Sequence, residues 1–340
     1  MMEKRPDNRP VQLEKHPVRE FYQKNSKVLN ALLMCVCVFV AGELIIGAVM
    51  GQHGVFLSVP QVFLTIRLAG FVALFGLCQQ LVICVGGGGL DLSVGYIATL
   101  TGICAGHIMN GSNAGILPSI VVAIVIGAFF GLCNGLLTAY LQLPSLVVTM
   151  AMGNIVQGII NAYVSEVAIA GNAAPALAWL TAKFTGIFPN ILIVVVLVTA
   201  IMMVLFRRTS LGVRILGVGA NENTAYLSGV NVKRVRCMAF VVSGIIAAFV
   251  GLLLLGYLNH ASKDMASNYV MPSIVAVVVG GISINGGEGN YLAVVLGAVV
   301  LQSLTNLFVA LGWGDAGKWL GYGLILLVML AAYIRNKRKR

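Results

Sequence analysis

From residue 28 onward, the sequence is dominated by apolar runs long enough to cross a lipid bilayer. A membrane-spanning helix needs about 20 such residues to cover a hydrocarbon core about 30 Å thick. Only 10% of the residues are charged, whereas 59% are apolar. A soluble domain needs about 25% charged residues to cover its surface. The sequence therefore predicts an all-α polytopic membrane protein whose outer surface faces lipid.

About ten transmembrane helices are predicted. They are expected at 28–50, 62–85, 92–109, 115–141, 145–164, 188–206, 237–257, 270–284, 291–311 and 317–334. The spans 92–109 and 270–284 are short and bordered by glycine runs, which favours broken or re-entrant helices buried within the protein. The transmembrane domain, 28–334, then lies between a cytoplasmic N-terminal segment, 1–27, and a basic tail, 335–340.

Lysine and arginine concentrate in the first 27 residues, in the segment 207–236 and in the tail 335–340. Basic clusters can bind nucleic acid, but these flank apolar spans, as the positive-inside rule predicts. Six predicted spans precede 207–236 and four more precede the tail, so a cytoplasmic N-terminus places all three clusters in the cytoplasm. The predicted outer loops carry only Lys183 and Lys263 as basic residues. We therefore predict that both termini are cytoplasmic.

Signals for covalent chemistry are missing from the sequence. No GxxxxGK[ST], HExxH or GxSxG string occurs. The seven cysteines lack zinc-ligand spacing, and most lie inside apolar runs, where they are expected to act as small apolar side chains. We predict no catalytic residue, no metal site and no cofactor. Active transport would then draw its energy from a partner or from an ion gradient.

Two glycine-rich segments border the short spans. In GGGGLDLSVG (86–95), the glycines permit unusual backbone conformations, and Asp91 and Ser93 stand where a helix begins. Capping of that helix is favoured over direct contact with a solute. The later segment holds a tight turn at 286–289, and the pair suggests an inverted repeat with interrupted helices. The predicted structural motif comprises Gly89, Asp91, Ser93, Gly95, Gly286, Gly287 and Gly289.

The segment 207–236 is too polar to span a membrane. Its residues 221–224 include good helix-capping side chains, which predicts a short helix from about 222 to 229, ended by Gly229. Such a helix between two spans either docks a partner or belongs to a solvated loop. The pattern alone leaves both open. The candidate docking residues are Asn221, Glu222, Asn223, Thr224, Ala225, Tyr226, Leu227, Ser228 and Gly229.

Several polar side chains fall inside predicted spans, where they are costly to expose to lipid. They are Glu43, Arg67, Gln79, Gln80, Asn134, Asn154, Gln157, Asn161, Gln302 and Asn306. Any single amide is readily explained by a hydrogen bond between helices. The spacing of three and four residues places Asn154, Gln157 and Asn161 on one helix side, which favours a translocation pathway for a hydroxyl-rich solute.

Four ordered blocks resemble the permease subunit of bacterial ribose-type ABC sugar importers. They are GLDLSVG (89–95), LPSLVVTMAMGNIVQG (143–158), SLGVRILGVGANENTAYLSGVNV (210–232) and VVVGGISINGGEGNYLAVVLGA (277–298). The resemblance implies a permease dimer in the inner membrane, a cytoplasmic ATPase docked on 221–229, and a periplasmic or lipid-anchored sugar-binding protein. The permease itself would not be an enzyme.

The chain departs from that family's pattern at three places. The family often has an acidic residue where Met271 or Pro272 stands, and a basic residue where Glu288 and Gln157 stand. These departures leave the solute open: a monosaccharide, or a nucleoside or branched-chain amino acid. A separate hypothesis is an ion-coupled secondary transporter, for which Glu43 and Asp91 would be the coupling carboxylates.

Overall fold

The computed structural model describes residues 17–51, 53–166, 171–184, 188–314 and 316–324, together with Leu327. Its described part is mostly helical. The helices are α1 (Pro17–Met50), α2 (Val59–Cys84), α3 (Val94–Met109), α4 (Ile116–Ala139), α5 (Ser145–Glu166), α6 (Pro175–Thr181), α7 (Ile191–Arg208), α8 (Ser210–Ala220), α9 (Glu222–Leu227), α10 (Val232–Leu258), α11 (Val270–Val279) and α12 (Tyr291–Ala310). Residues 316–324 are also helical. A two-residue hairpin pairs β1 (Lys183–Phe184) with β2 (Phe188–Pro189).

The polytopic all-α architecture is confirmed, but ten spans are not. Six described helices are long and apolar enough to cross a membrane, or seven if the bent pair α7 and α8 forms one span. At about 1.5 Å per residue, α3 and α11 reach only about 24 Å and about 15 Å, short of a full crossing. The tenth predicted span and the terminal basic clusters fall largely outside the described residues.

The short helices are interior elements, as their glycine borders predicted. Most of α3 is buried, and α11 is buried from Pro272 to its end. Each short helix follows a long helix and an irregular loop: α2 precedes 85–93 and α3, while α10 precedes 259–269 and α11. The first loop lies at the end of the bundle where α10 begins. The second starts at the opposite end, where α10 stops, and runs back into the bundle to contact Gly95 and Thr99 of α3. This reversal supports the expected inverted repeat, although it pairs 85–93 with 259–269 rather than with the turn at 286–289.

Close backbone contact holds α10 against α4. A Cβ atom on Gly244 would lie 2.3 Å from the carbonyl oxygen of Gly127, and one on Gly131 would lie 2.6 Å from that of Phe240. Such distances exclude any side chain at these positions. By contrast, α1 and α4 expose many large apolar side chains on their outer faces, including Leu33 and Leu117. These faces suit contact with acyl chains.

The segment 207–236 contains more helix than the sequence predicted. The predicted short helix is present as α9, which ends at Leu227, two residues before Gly229. A second helix, α8, occupies Ser210–Ala220 and was not predicted. In addition, α10 begins at Val232, five residues before the predicted start of its span at 237. Hydropathy placed these boundaries poorly because α8 is amphipathic and the first turn of α10 is basic.

Candidate functional site

The helix α9 presents an exposed apolar tip. Asn221 caps it, because its side-chain oxygen accepts a hydrogen bond from the Thr224 N–H at 2.9 Å. Ala225 is buried beneath the helix, whereas Tyr226 and Leu227 are 72% and 85% exposed. Gly229 then adopts a positive φ of 80° and turns the chain toward α10. The capping residues therefore hold two large apolar side chains outward on a rigid turn.

An ion pair ties α9 to the start of α10. Arg236 Nη2 lies 3.1 Å from Glu222 Oε2, and the arginine side chain is largely buried. The same guanidinium borders the first glycine-rich loop: a Cβ atom on Gly87 would lie 2.9 Å from Nη2. The predicted docking helix therefore contacts, through one arginine, a loop more than 130 residues earlier in the chain.

The two glycine-rich segments meet at the end of α8. The Gly287 N–H donates to the Cys84 carbonyl oxygen at 3.0 Å, and a Cβ atom on Gly286 would lie 2.6 Å from the Cα of Gly86. Gly219 fits against both, because its Cβ atom would lie 1.9 Å from the Cys84 oxygen and 2.4 Å from the Gly287 nitrogen. We call Cys84, Gly86, Gly219, Gly286 and Gly287 the glycine junction. It brings together three segments that the sequence singled out separately.

The beginning of α1 also reaches this region. Lys27 Nζ forms an ion pair with Glu288, the residue that follows the junction glycines. Gly289 is equally confined, since a Cβ atom there would lie 3.0 Å from Cys84 Sγ and from Gln80 Nε2. The departure from the family pattern at Glu288 is thus matched by a basic partner within this chain.

The carboxylate of Asp91 is fully buried and held by serines. Its Oδ1 accepts from the Ser93 N–H at 3.0 Å and from Ser93 Oγ at 2.6 Å, and its Oδ2 accepts from Ser243 Oγ at 3.4 Å. Asn134 in turn donates to Ser93 Oγ at 2.8 Å. Asp91 therefore orders the entry into α3 and is screened from any solute in this conformation. The expected capping differs in detail, because the N-cap residue Ser93 makes no side-chain capping hydrogen bond to α3.

Side chains from neighbouring helices satisfy the backbone of this loop. Gln79 donates to the Asp91 carbonyl at 2.6 Å and accepts from the Asp91 N–H at 3.2 Å. Thr149 on α5 contacts both Leu90 O and the Leu92 N–H, at 3.2 and 3.1 Å. Irregular backbone at membrane depth requires such partners. The sequence did not predict this role of Gln79. Its one indication was an amide side chain near a glycine-rich segment.

The remaining motif glycines also mark close backbone approaches. A Cβ atom on Gly89 would lie 2.3 Å from the Val82 carbonyl oxygen, and one on Gly95 would lie 2.6 Å from that of Ala266. These contacts fold the loop back on α2 and press α3 against the loop 259–269. The glycines at 89 and 95 are therefore required by packing.

A polar strip runs along α5. Asn154 and Asn161 are exposed and Gln157 is half-buried, with Gln157 Nε2 donating to Asn161 Oδ1 at 3.2 Å. The three residues lie on one helix side, as their spacing predicted. Carboxamides on the outer surface of a spanning helix are unfavourable toward lipid. This face therefore suits an aqueous path or a second subunit.

Glu43 and Arg67 have partners within the fold, whereas both amide atoms of Gln80 are buried without a hydrogen-bond partner among the described residues. Glu43 accepts from the backbone N–H groups of Gly54, Phe56 and Leu57 and so holds the loop after α1. Arg67 donates to the Thr181 carbonyl at 2.7 Å and lies 4.6 Å from the Tyr257 ring centroid. Both side chains have structural contacts that explain their presence without a transport role.

Comparison with known proteins gives consistent matches. The family model described as "Branched-chain amino acid transport system / permease component" matches residues 61–333. A fructose import permease of Rhizobium meliloti is 29% identical over 86% of this chain and 82% of its own length. A ribose import permease of Haemophilus influenzae is 28% identical over 88% and 94%, and a galactofuranose transporter permease of Escherichia coli is 31% identical over 76% and 75%. No solved structure matches the chain.

Proposed function

This chain belongs to the permease family described as a branched-chain amino acid transport system component, and on that premise we propose that it is the membrane permease of an ATP-driven monosaccharide importer. The resemblance of the four sequence blocks to sugar-importer permeases is confirmed. The three relatives are named for fructose, ribose and galactofuranose, and each alignment spans at least three quarters of this chain. Those names favour a sugar over the amino acids in the family's description.

The observation that carries the mechanism is the connection between α9 and the glycine junction. Tyr226 and Leu227 provide an exposed apolar contact of the kind that a partner's groove would bury. We place the cytoplasmic ATPase on this tip, which makes the candidate residues 221–229 its docking segment. The permease contributes no catalytic residue, and ATP hydrolysis takes place on the partner.

Force applied to α9 has two short routes into the membrane domain. One runs through the Glu222–Arg236 ion pair to the loop at Gly87. The other runs through α8, which contributes Gly219 to the junction and ends at Ala220, beside Gly287. Because backbone contacts close the junction, a displacement of α8 is transmitted to both glycine-rich loops together. Alternating access would then arise from coupled movement of the elements on either side, α2 and α12.

The translocation pathway is assigned to the α5 strip of Asn154, Gln157 and Asn161. Amides there exchange hydrogen bonds with solute hydroxyls, and a second copy of the chain covers the strip from lipid. A dimer thus forms the pathway between the subunits. A sugar-binding protein outside the inner membrane delivers the solute. Both termini lie in the cytoplasm, because the basic clusters at both ends of the chain favour that side of the membrane.

Reconstitution tests this function. The permease is placed in liposomes with a partner ATPase and a sugar-binding protein, and uptake of labelled ribose, fructose and galactose is measured with leucine and adenosine as alternatives. The expected result is ATP-dependent uptake of a sugar that ceases without the ATPase. Uptake that continues without the ATPase would establish a secondary transporter. Uptake of leucine or adenosine alone would show that the substrate is not a sugar.

A further inference from the structure

A cavity distinct from the α5 strip lies on the opposite side of α2. Its volume is about 320 Å³, and it is lined by α2, the loop 259–269, α11, α12 and the helical segment 316–324. Gln302 stands 11 residues after Tyr291, so it lies about 17 Å along α12 from the end of the helix that follows the glycine junction. Leu68 and Val72, which also line the cavity, stand 16 and 12 residues before Cys84, so they lie about 24 and about 18 Å along α2 from the junction. The cavity therefore belongs to the half of the protein assigned to the outer leaflet.

The lining combines an apolar floor with polar and aromatic walls. Leu68 and Val72 form part of the floor, whereas Gln302, Thr305, Tyr269 and Trp319 contribute amide, hydroxyl and aromatic groups. A larger cavity of about 580 Å³, between α2, α4, α6, α7 and α10, is lined by apolar side chains throughout. The larger cavity has the chemistry of an acyl-chain site. The smaller one has that of a small amphipathic solute.

The polar groups are held in place by neighbouring residues. Gln302 Nε2 donates to Asn306 Oδ1 at 3.0 Å, and Asn306 Nδ2 donates to Thr65 Oγ1 on α2 at 2.8 Å. Thr305 Oγ1 and the Tyr322 hydroxyl lie 2.8 Å apart, which links α12 to the segment 316–324. A wall fixed by such contacts loses little conformational entropy when a ligand binds.

We propose that this cavity binds a neutral polyhydroxylated solute of monosaccharide size on the outer side of the permease. A sugar ring presents C–H faces, which pack against Trp319 and the aliphatic floor, and a rim of hydroxyls, which exchange hydrogen bonds with Gln302 and Thr305. Among the described residues that line the cavity none is a carboxylate, which disfavours a cation. The inference rests on the proposed function, since the cavity would bind the imported solute before that solute reaches the α5 strip.

Direct binding tests the site without transport. In the full-length permease, Trp179→Phe and Trp313→Phe leave Trp319 as the single indole, whose fluorescence is followed during titration with ribose, fructose, galactose and gluconate. We expect a saturable change with at least one neutral sugar, and Gln302→Leu to weaken that binding about five- to tenfold by removing one polar contact. No saturable change with any sugar, or saturation by gluconate alone, would overturn the proposal.

Uptake by the assembled importer separates the two proposals. Gln302→Leu and Trp319→Ala are expected to raise the solute concentration for half-maximal uptake and leave ATPase association intact. Trp313→Ala is the matched control, because Trp313 is exposed and stacks on Phe308 outside the cavity. Wild-type uptake with unaltered kinetics in both cavity variants would remove the site and leave the permease function standing. If the wild-type importer shows no sugar uptake but sugar still binds in the fluorescence titration, the binding site stands and the permease function is overturned.

Discussion

The backbone N–H of Gly287 donates a hydrogen bond to the carbonyl oxygen of Cys84, with the two atoms 3.0 Å apart. The residues are about 200 positions apart in the chain, and one belongs to the turn before α12 and the other to the end of α2. Gly219 at the end of α8 fits between them without room for a side chain. The junction therefore ties α8, and with it the proposed docking segment 221–229, to both glycine-rich segments of the membrane domain.

Gly219→Ala should disturb this junction. The added methyl group would lie 1.9 Å from the Cys84 oxygen, so the backbone must shift, at a cost of about 1–3 kcal/mol in folding free energy. Uptake per ATP hydrolysed should fall as well, because α8 no longer seats on both loops. Thermal unfolding in detergent and coupled uptake measure the two effects. Gly217→Ala is the matched control on the same helix, since its Cβ would meet nothing within 4 Å. Equal behaviour of the two variants would contradict the prediction.

Tyr226→Asp and Leu227→Asp should abolish stable association with the ATPase. Both side chains are mostly exposed, so the substitutions should leave thermal stability nearly unchanged while placing a charge in the proposed contact. Co-purification with the ATPase and sugar uptake provide the measurements. Trp313→Asp, an exposed aromatic position far along the chain, serves as a control. Normal ATPase recovery with both α9 variants would place the docking surface elsewhere.

Leucine substitutions at Asn154, Gln157 and Asn161 should slow sugar uptake at least about tenfold, because the amides no longer exchange hydrogen bonds with the solute. Folding should be preserved, since apolar side chains on this exposed face are compatible with lipid. Uptake rates and thermal unfolding are compared with those of Ile155→Leu, an exposed position on the same helix. An unchanged rate and selectivity in the triple variant would assign the strip to packing.

Asp91→Ala should destabilise the protein by about 2–4 kcal/mol, because it leaves Ser93 and Ser243 without their common buried acceptor. Asp91→Asn keeps an acceptor oxygen and should recover much of that loss. Thermal unfolding measures both variants. A secondary transporter coupled through this carboxylate would instead lose transport in Asp91→Asn at unchanged stability, and that outcome would revive the ion-coupled hypothesis.

Local features of the fold were predictable from the sequence. Asn221 marks the start of α9 because its capping hydrogen bond spans only three residues. The brevity of α3 and α11 follows from glycines that border their apolar runs. The side of α5 that carries its amides follows from helical spacing. All three depend on neighbours within one or two turns of helix.

Contacts between distant segments were not predictable. Nothing in the pattern around Gln79 indicates that it brackets the backbone of Asp91, and the meeting of Cys84, Gly219 and Gly287 depends on how three separate helices pack. Glu43 illustrates the same limit. Its depth in an apolar run suggested an interior or coupling carboxylate, but it binds backbone N–H groups of the loop just beyond its helix. Hydropathy gives the length of a run and leaves its partners open.

The polar strip on α5 makes a lone subunit chemically distinguishable from an assembled one. In the proposed dimer a second copy covers the strip, whereas a lone copy would present its carboxamides to acyl chains. Carboxamides that face acyl chains are unfavourable, so the removal of this contact with lipid would stabilise the proposed dimer. A copy left without its partner would then be less stable in the membrane than a paired copy.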